Sequence, residues 1–197
     1  MNKFKEYFDK FRCDKSLTHG YDNYYYDLIN FNVTSLLEIG VHEGRSLASF
    51  RNIFPNCDLF GLDITNNRFK QHLLDEAKSC IFIEDSTKIA KDHVALQRKY
   101  DVIIDDGSHF SRDIIKTFIN FKDNFTFCYI MEDVREGFDK IENLILANNL
   151  GFKKYTSMCS PAPVRIDHLY QDRSLGSSII YIKQHIYFIT RHVPMQM

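Results

Sequence analysis

The chain has no apolar run near the roughly 20 residues that a bilayer-spanning helix requires, so no helical membrane span is expected. Its first residues, Met1-Asn2-Lys3-Phe4-Lys5-Glu6, lack the unbroken apolar stretch of a secretion signal. There is no C-x-x-C pair. The five cysteines (Cys13, Cys57, Cys80, Cys128 and Cys159) are scattered and odd in number. Three of them sit in apolar, strand-like surroundings, where a reduced thiol acts as a small hydrophobe. Neither a disulfide framework nor a cysteine zinc site is therefore expected, and a reducing, cytoplasmic setting fits best. A large excess of charge is missing too. With a formal net charge of -1, no global field draws nucleic acid or an anionic membrane, and neither is expected as a partner. Internal repeats and low-complexity linkers are also absent, so 197 residues point to one globular domain.

What is present is an alternation. Phe4, Tyr7, Phe8 and Phe11 recur at helical spacing and predict a short opening helix. A second helix is expected after His19-Gly20, burying Tyr24, Tyr25, Leu28 and Ile29. Residues 1–33 then form a helical cap on a main unit of residues 34–197. Short apolar runs follow at 35–41, 59–64, 80–83, 102–104 and 127–131, with helices expected over 45–53, 67–77, 87–97, 112–121 and 138–149. Ser86 and Ser111 stand as helix N-caps and Gly151 as a helix terminator. Near-continuous apolar strands imply a sheet covered on both faces by crossover helices. Beyond Gly151, strands at 152–158, 178–183 and 186–190 lack intervening helices and predict an antiparallel edge. The expected fold is a doubly wound, Rossmann-like α/β sheet, mostly parallel and seven-stranded. That is the layout of class I methyltransferases that use S-adenosylmethionine (SAM).

In such a sheet, ligands bind beyond the carboxyl ends of the strands. The first strand ends Glu38-Ile39-Gly40-Val41-His42-Glu43-Gly44-Arg45-Ser46, an E-x-G-x-x-x-G turn opening a helix, where a dinucleotide site would ask for G-x-G-x-x-G. Asp63, some 20 residues on, is placed to accept hydrogen bonds from ribose hydroxyls. Asp85 is a candidate for the adenine amino group and Ile83 for the ring face, with capping by Asp85 or Ser86 an equal alternative. The sharpest signal is Asp105-Asp106-Gly107-Ser108-His109 after the fourth strand, matched by Glu132-Asp133 after the fifth. Adjacent strands lie about 5 Å apart, so acids from both can reach one hard cation such as Mg²⁺ or Mn²⁺. The competing expectation is that Arg112 or Arg135 neutralises them. His109 is positioned as a general base for a hydroxyl held on that ion.

These blocks resemble the metal-dependent sugar O-methyltransferases of macrolide-antibiotic biosynthesis, mycinamicin type. The resemblance runs from Cys13 to about Lys183. It is carried by Asp14-Lys15, His19-Gly20-Tyr21, Leu37-Glu38-Ile39-Gly40-Val41, Phe54-Pro55-Asn56, Gly61-Leu62-Asp63-Ile64, Ile104 through His109, Glu132-Asp133 and Gly176-Ser177-Ser178-Ile179. It implies SAM as cofactor, Mg²⁺ near Asp106, Glu132 and Asp133, and His109 as base toward a sugar hydroxyl. Asp105 becomes an acid behind the ligands. His42 departs from the family, which often has glycine there. The substrate wall is expected from His19, Tyr21, Tyr24, Tyr25, Arg165, His168 and Tyr170, and the aromatic opening helix is a candidate homo-oligomer contact. Acidic metal ligands alone leave a catechol-type acceptor, a cephalosporin-hydroxylase-like oxygenase and a non-catalytic binding module open.

Overall fold

A computed structural model describes residues 2–25, 28, 31–134, 136–148, 150–156 and 178–183, the last two spans from residue 151 on as backbone only. Helix α1 (Lys3–Lys10) starts where the Asn2 side chain accepts hydrogen bonds from the Phe4 and Lys5 amides. Its aromatic stripe faces inward: Phe4 and Phe8 are buried against Tyr25, Phe50 and Phe54 at ring-centroid distances of 5.5–5.9 Å. Phe4 and Phe8 are thus packed within the chain, while Tyr7 and Phe11 of the same stripe are half-buried. Two one-turn helices follow, α2 (Asp14–Leu17) and α3 (Asp22–Tyr25). Among the described residues the second expected helix is represented by α3; Tyr25 and Leu28 are buried, Tyr24 is half-buried, and Ile29 lies outside the described residues.

Strands β1 (Ser35–Ile39), β2 (Asp58–Asp63), β3 (Cys80–Ile83), β4 (Tyr100–Asp105) and β5 (Phe125–Val134) pair in parallel, in the spatial order β3-β2-β1-β4-β5. The order reverses at β1, where an open α/β sheet places its ligand crevice. Beyond β5, the backbone of β7 (Ser178–Lys183) pairs antiparallel with β5, and β6 (Gly151–Thr156) pairs antiparallel with β7. Gly151 accordingly opens a strand, since the preceding helix already ends at Asn148. The strand expected at 186–190 lies outside the described residues.

Side chains alternate across each strand and divide the core. Leu36, Val102, Ile104, Cys128 and Ile130 meet α1, α4 (Arg45–Ile53) and α5 (Gln71–Ala77) on one face. On the other, Leu37, Ile39, Ile103, Tyr129 and Met131 meet α6 (Ser111–Phe121) and α7 (Phe138–Ala147). Among the described residues, no helix is long and apolar enough to cross a membrane.

Two expectations about helices change. Residues 87–97 form only a 3-10 turn at Val94–Gln97. The Asp85 carboxylate takes up the Thr87 amide and hydroxyl in a local turn, and Ile89 and Ala95 are the buried apolar side chains of that span, too few for a helical stripe. Ser111 is the first residue of α6, with Phe110 at the cap position, so no side-chain cap forms there.

Candidate active site

A cleft of about 1170 Å³ opens along the carboxyl ends of β1, β2 and β4. Its walls carry Gly40, His42, Asp63, Glu84, Asp85, Ser86, Asp105, Asp106, His109 and Asp133. The turn after β1 is shaped by protein neighbours. Gly40 sits at φ +90°, and a Cβ there would lie 2.1 Å from the Asp106 carbonyl oxygen. Gly44 (φ +87°) begins α4 against Leu74 rather than lining the cleft. His42, also left-handed at φ 51°, lies with Nε2 3.0 Å from Arg68 Nη1.

Asp63 closes the turn from the side. Its Oδ2 accepts from the Val41 and His42 amides at 2.8 and 3.0 Å, and Oδ1 from Thr65 N at 3.1 Å. A carboxylate has about four acceptor positions, so capacity remains toward the cleft. Asp85 is tied locally. Its bonds from Lys88 and Thr87, that to Lys88 foremost, hold its pKa down to about 2. Ser86 Oγ lies 2.9 Å from Thr117 Oγ1. Ile83 does not face the cleft as expected. Strand alternation turns it into a separate shallow depression beside Phe69 and Ile81, 49% exposed. Glu38 is also off the cleft wall, fully buried beneath the turn with Ser46 Oγ donating to its Oε2 at 2.5 Å; burial pushes its pKa up to about 7.

The acids after β4 and β5 sort by sheet face. Asp105 points toward the α6 side, where Tyr129 OH donates to its Oδ2 at 3.1 Å and burial raises its pKa to about 7. Asp106 and Glu132 point to the opposite face and meet a residue that the sequence reading did not single out for a role, Lys15 from α2. Lys15 is 1% exposed. Its ammonium contacts Asp106 Oδ2 at 2.7 Å, Glu132 Oε2 directly, and Glu38 Oε1 at 3.5 Å. Burial alone would strip its proton, yet Asp106, Glu132 and Glu38 outweigh that and lift its pKa well above the ordinary value. Tyr25 OH donates to the remaining oxygen of Glu132 at 2.6 Å. Glu132, expected as a metal ligand, thus has both oxygens engaged by protein. The neutralising cation is this lysine, not Arg112, which pairs with Asp113; Arg135 lies outside the described residues.

Asp133 sits at an irregularity within β5, where the pairing register shifts between Met131 and Val134; left-handed at φ 50°, it turns toward the cleft. Its Oδ1 accepts from Tyr21 OH at 2.6 Å and lies 3.4 Å from His19 Nδ1; Oδ2 is 4.0 Å from His109 Nε2. Burial would raise its pKa, but His19, Tyr21 and His109 together bring it below normal. Ligand atoms of Asp106, His109 and Asp133 lie within 4.8 Å of one another. His109 is itself left-handed (φ 61°), and its Nδ1 is buried without a hydrogen-bond partner.

Of the expected substrate wall, Tyr21 is buried and Tyr24 packs against the core, because both belong to the segment that covers β5. His19 stacks on Tyr21 with ring centroids 5.0 Å apart. Arg165, His168 and Tyr170 lie outside the described residues.

With this geometry, solved structures can be compared. The fold is that of the class I methyltransferases. MycE methyltransferase of the mycinamycin biosynthetic pathway, solved with Mg, SAH and mycinamycin VI, superposes with a TM-score of 0.66 at 21% identity. That match covers 99% of this chain and 57% of MycE, so the chain spans little more than half of that enzyme's length. The plantazolicin methyltransferase BpumL, solved with SAH, matches at a TM-score of 0.57 and 15% identity over 82% of this chain and 80% of its own. The StiE O-MT region superposes at 0.59 and 14% identity, covering 77% and 68% of the two chains. Neither a protein-family profile nor a curated relative matches the sequence.

Proposed function

We propose that the chain is a SAM-dependent O-methyltransferase that transfers a methyl group to a sugar hydroxyl, with one divalent cation at the acid edge. The observation that carries this reading is the convergence of Asp106, His109 and Asp133 at the rim of a cleft that also presents the ribose-type acid Asp63. The similarity in fold to MycE, itself solved with Mg and SAH, supports it.

The residues fit both groups. Asp63 and the turn around Gly40 would hold the nucleoside, with Asp105 on the cleft floor. Asp106 and Asp133 offer the hard oxygen donors that Mg²⁺ prefers. Charge agrees: Glu38, Asp106 and Glu132 converge on the buried cation Lys15, and although burial raises the pKa of both Glu38 and Glu132, Asp106 and Asp133 keep the cleft side of the edge acidic. When bound, the ion lowers the pKa of an acceptor hydroxyl. His109, whose Nε2 lies 4.0 Å from Asp133 Oδ2, would take that hydroxyl's proton, and SAM would supply the methyl group to the freed oxygen and leave as its demethylated thioether. Holding both reactants in line is worth on the order of 7–11 kcal/mol.

The test has three arms. Calorimetry should show SAM binding, and its absence at high concentration refutes the reading at the root. Mass spectrometry with SAM, Mg²⁺ and a panel of nucleotide sugars, glycosides and catechols should show a gain of methyl on a sugar; gain on catechols alone moves the reading to aromatic acceptors. His109→Ala should lower kcat by about 10²–10⁴ with little change in Mn²⁺ affinity. A collapse of that affinity instead makes His109 a ligand.

A further inference from the structure

We propose that Lys15 is the resident cation of the acid edge: it neutralises Glu132 and Glu38 and fixes one oxygen of Asp106, so that a divalent ion is confined to the half bounded by Asp106 and Asp133. This rests on the metal reading above and departs from it in naming what keeps Glu132 out of the ion's ligand shell.

The argument is geometric. Glu38, on β1, and Glu132, near the end of β5, share the sheet face that the N-terminal helices cover. Both acids are shut off from water there, Glu38 fully buried and Glu132 1% exposed. Lys15 enters from α2, its carbonyl accepting from the Tyr21 amide at 2.6 Å, and its ammonium ends among three carboxylates contributed by β1, the turn after β4, and β5. Two of its N–H groups bond Asp106 and Glu132, and Glu38 Oε1 lies 3.5 Å away as an ion-pair neighbour. Tyr25 covers the other Glu132 oxygen, so both oxygens of that buried carboxylate are engaged by protein. One residue further, Asp133 turns to the cleft side by its left-handed backbone, where its partners are Tyr21, His19 and His109. Neighbouring acids in sequence are thus split between a built-in monovalent cation and a place for an exchangeable divalent one. The N-terminal segment is then part of the site's electrostatics as well as a cover.

If Lys15 holds a cation's place, removing it should open that place to metal. In Lys15→Met, the freed Glu132 and Asp106 oxygens become available to Mn²⁺. We expect this variant to be destabilised without ion and to regain stability in Mn²⁺, with a thermal shift well beyond the wild type's and Mn²⁺ affinity at least about tenfold tighter. A purely structural lysine would give no ion-specific rescue. An equal or smaller shift overturns the proposal. A second variant guards against a Lys15→Met protein that does not fold: in the wild-type background, Glu132→Gln should leave Mn²⁺ affinity within about threefold, whereas Asp133→Asn should weaken it by more than about tenfold. If Glu132→Gln weakens Mn²⁺ binding as much as Asp133→Asn does, Glu132 is a ligand and Lys15 does not withhold it. Wild-type protein that binds no Mn²⁺ would end the metal reading alone; Mn²⁺ stabilisation gained by Lys15→Met would still support Lys15 as the resident cation.

Discussion

Replacing Glu38 by Gln should change stability in a way that depends strongly on pH. Glu38 is completely buried, and its pKa stands at about 7 instead of the ordinary 4.5. Between those two values the folded chain holds a proton that the unfolded chain has released. Stability contributed by this group therefore falls as pH rises through that window. The difference of 7 less 4.5 is 2.5 pH units, and at 1.36 kcal/mol per unit it amounts to about 3 kcal/mol. Gln does not ionise, so the variant escapes the fall. At pH 5 it should be slightly less stable than wild type, having weakened the bonds to Ser46 and Lys15; by pH 8 it should be equal or more stable. The measurement is urea denaturation of both proteins at four pH values from 5 to 8. A stability difference that stays flat to within about 0.5 kcal/mol would refute the reasoning, for it would mean that Glu38 is ionised alike in both states.

Gly40→Ala places a methyl group 2.1 Å from the Asp106 carbonyl at a φ of +90°, so it should cost more than about 3 kcal/mol or prevent folding; denaturation midpoints decide it. Tyr21→Phe removes a buried donor to Asp133 and should cost about 1–3 kcal/mol while raising the Asp133 pKa, the latter visible by carboxyl NMR titration. Asp85→Asn should lose a contribution that wild type holds at neutral pH and gives up only as pH drops from about 4 toward 2. That contribution is no more than about 1 kcal/mol, because Lys88 is largely exposed. Acid unfolding curves of the two proteins should converge below that range.

The central strands were legible because burial on both sheet faces writes itself as unbroken apolar runs: 102–104 and 127–131 fall inside β4 and β5 and are buried throughout. Helix α4 was legible for a related reason, since Leu47, Phe50 and Ile53 recur on one side. Acids at strand tips could be located, but not oriented. Which way Glu132 and Asp133 face depends on a single left-handed residue and on what packs beyond it, and no local pattern encodes either. Lys15 is the plainest case. Its partners lie 91 and 117 residues away, and a lysine beside an aspartate near the N-terminus reads as ordinary solvated charge. The one available signal was the presence of Asp14-Lys15 in the block shared with the sugar methyltransferases. At 87–97 the weak apolar content and the Asp85 turn should have lowered the expectation of a helix.

The contact between Gly40 and the Asp106–Gly107 backbone, reinforced by the Asp106 amide donating to the Ile39 carbonyl at 2.8 Å, joins the turn after β1 to the turn after β4 without a side chain between them. Such a splice has no slack. Displacement of the first turn must carry the second with it, so the two behave as one rigid rim of the cleft.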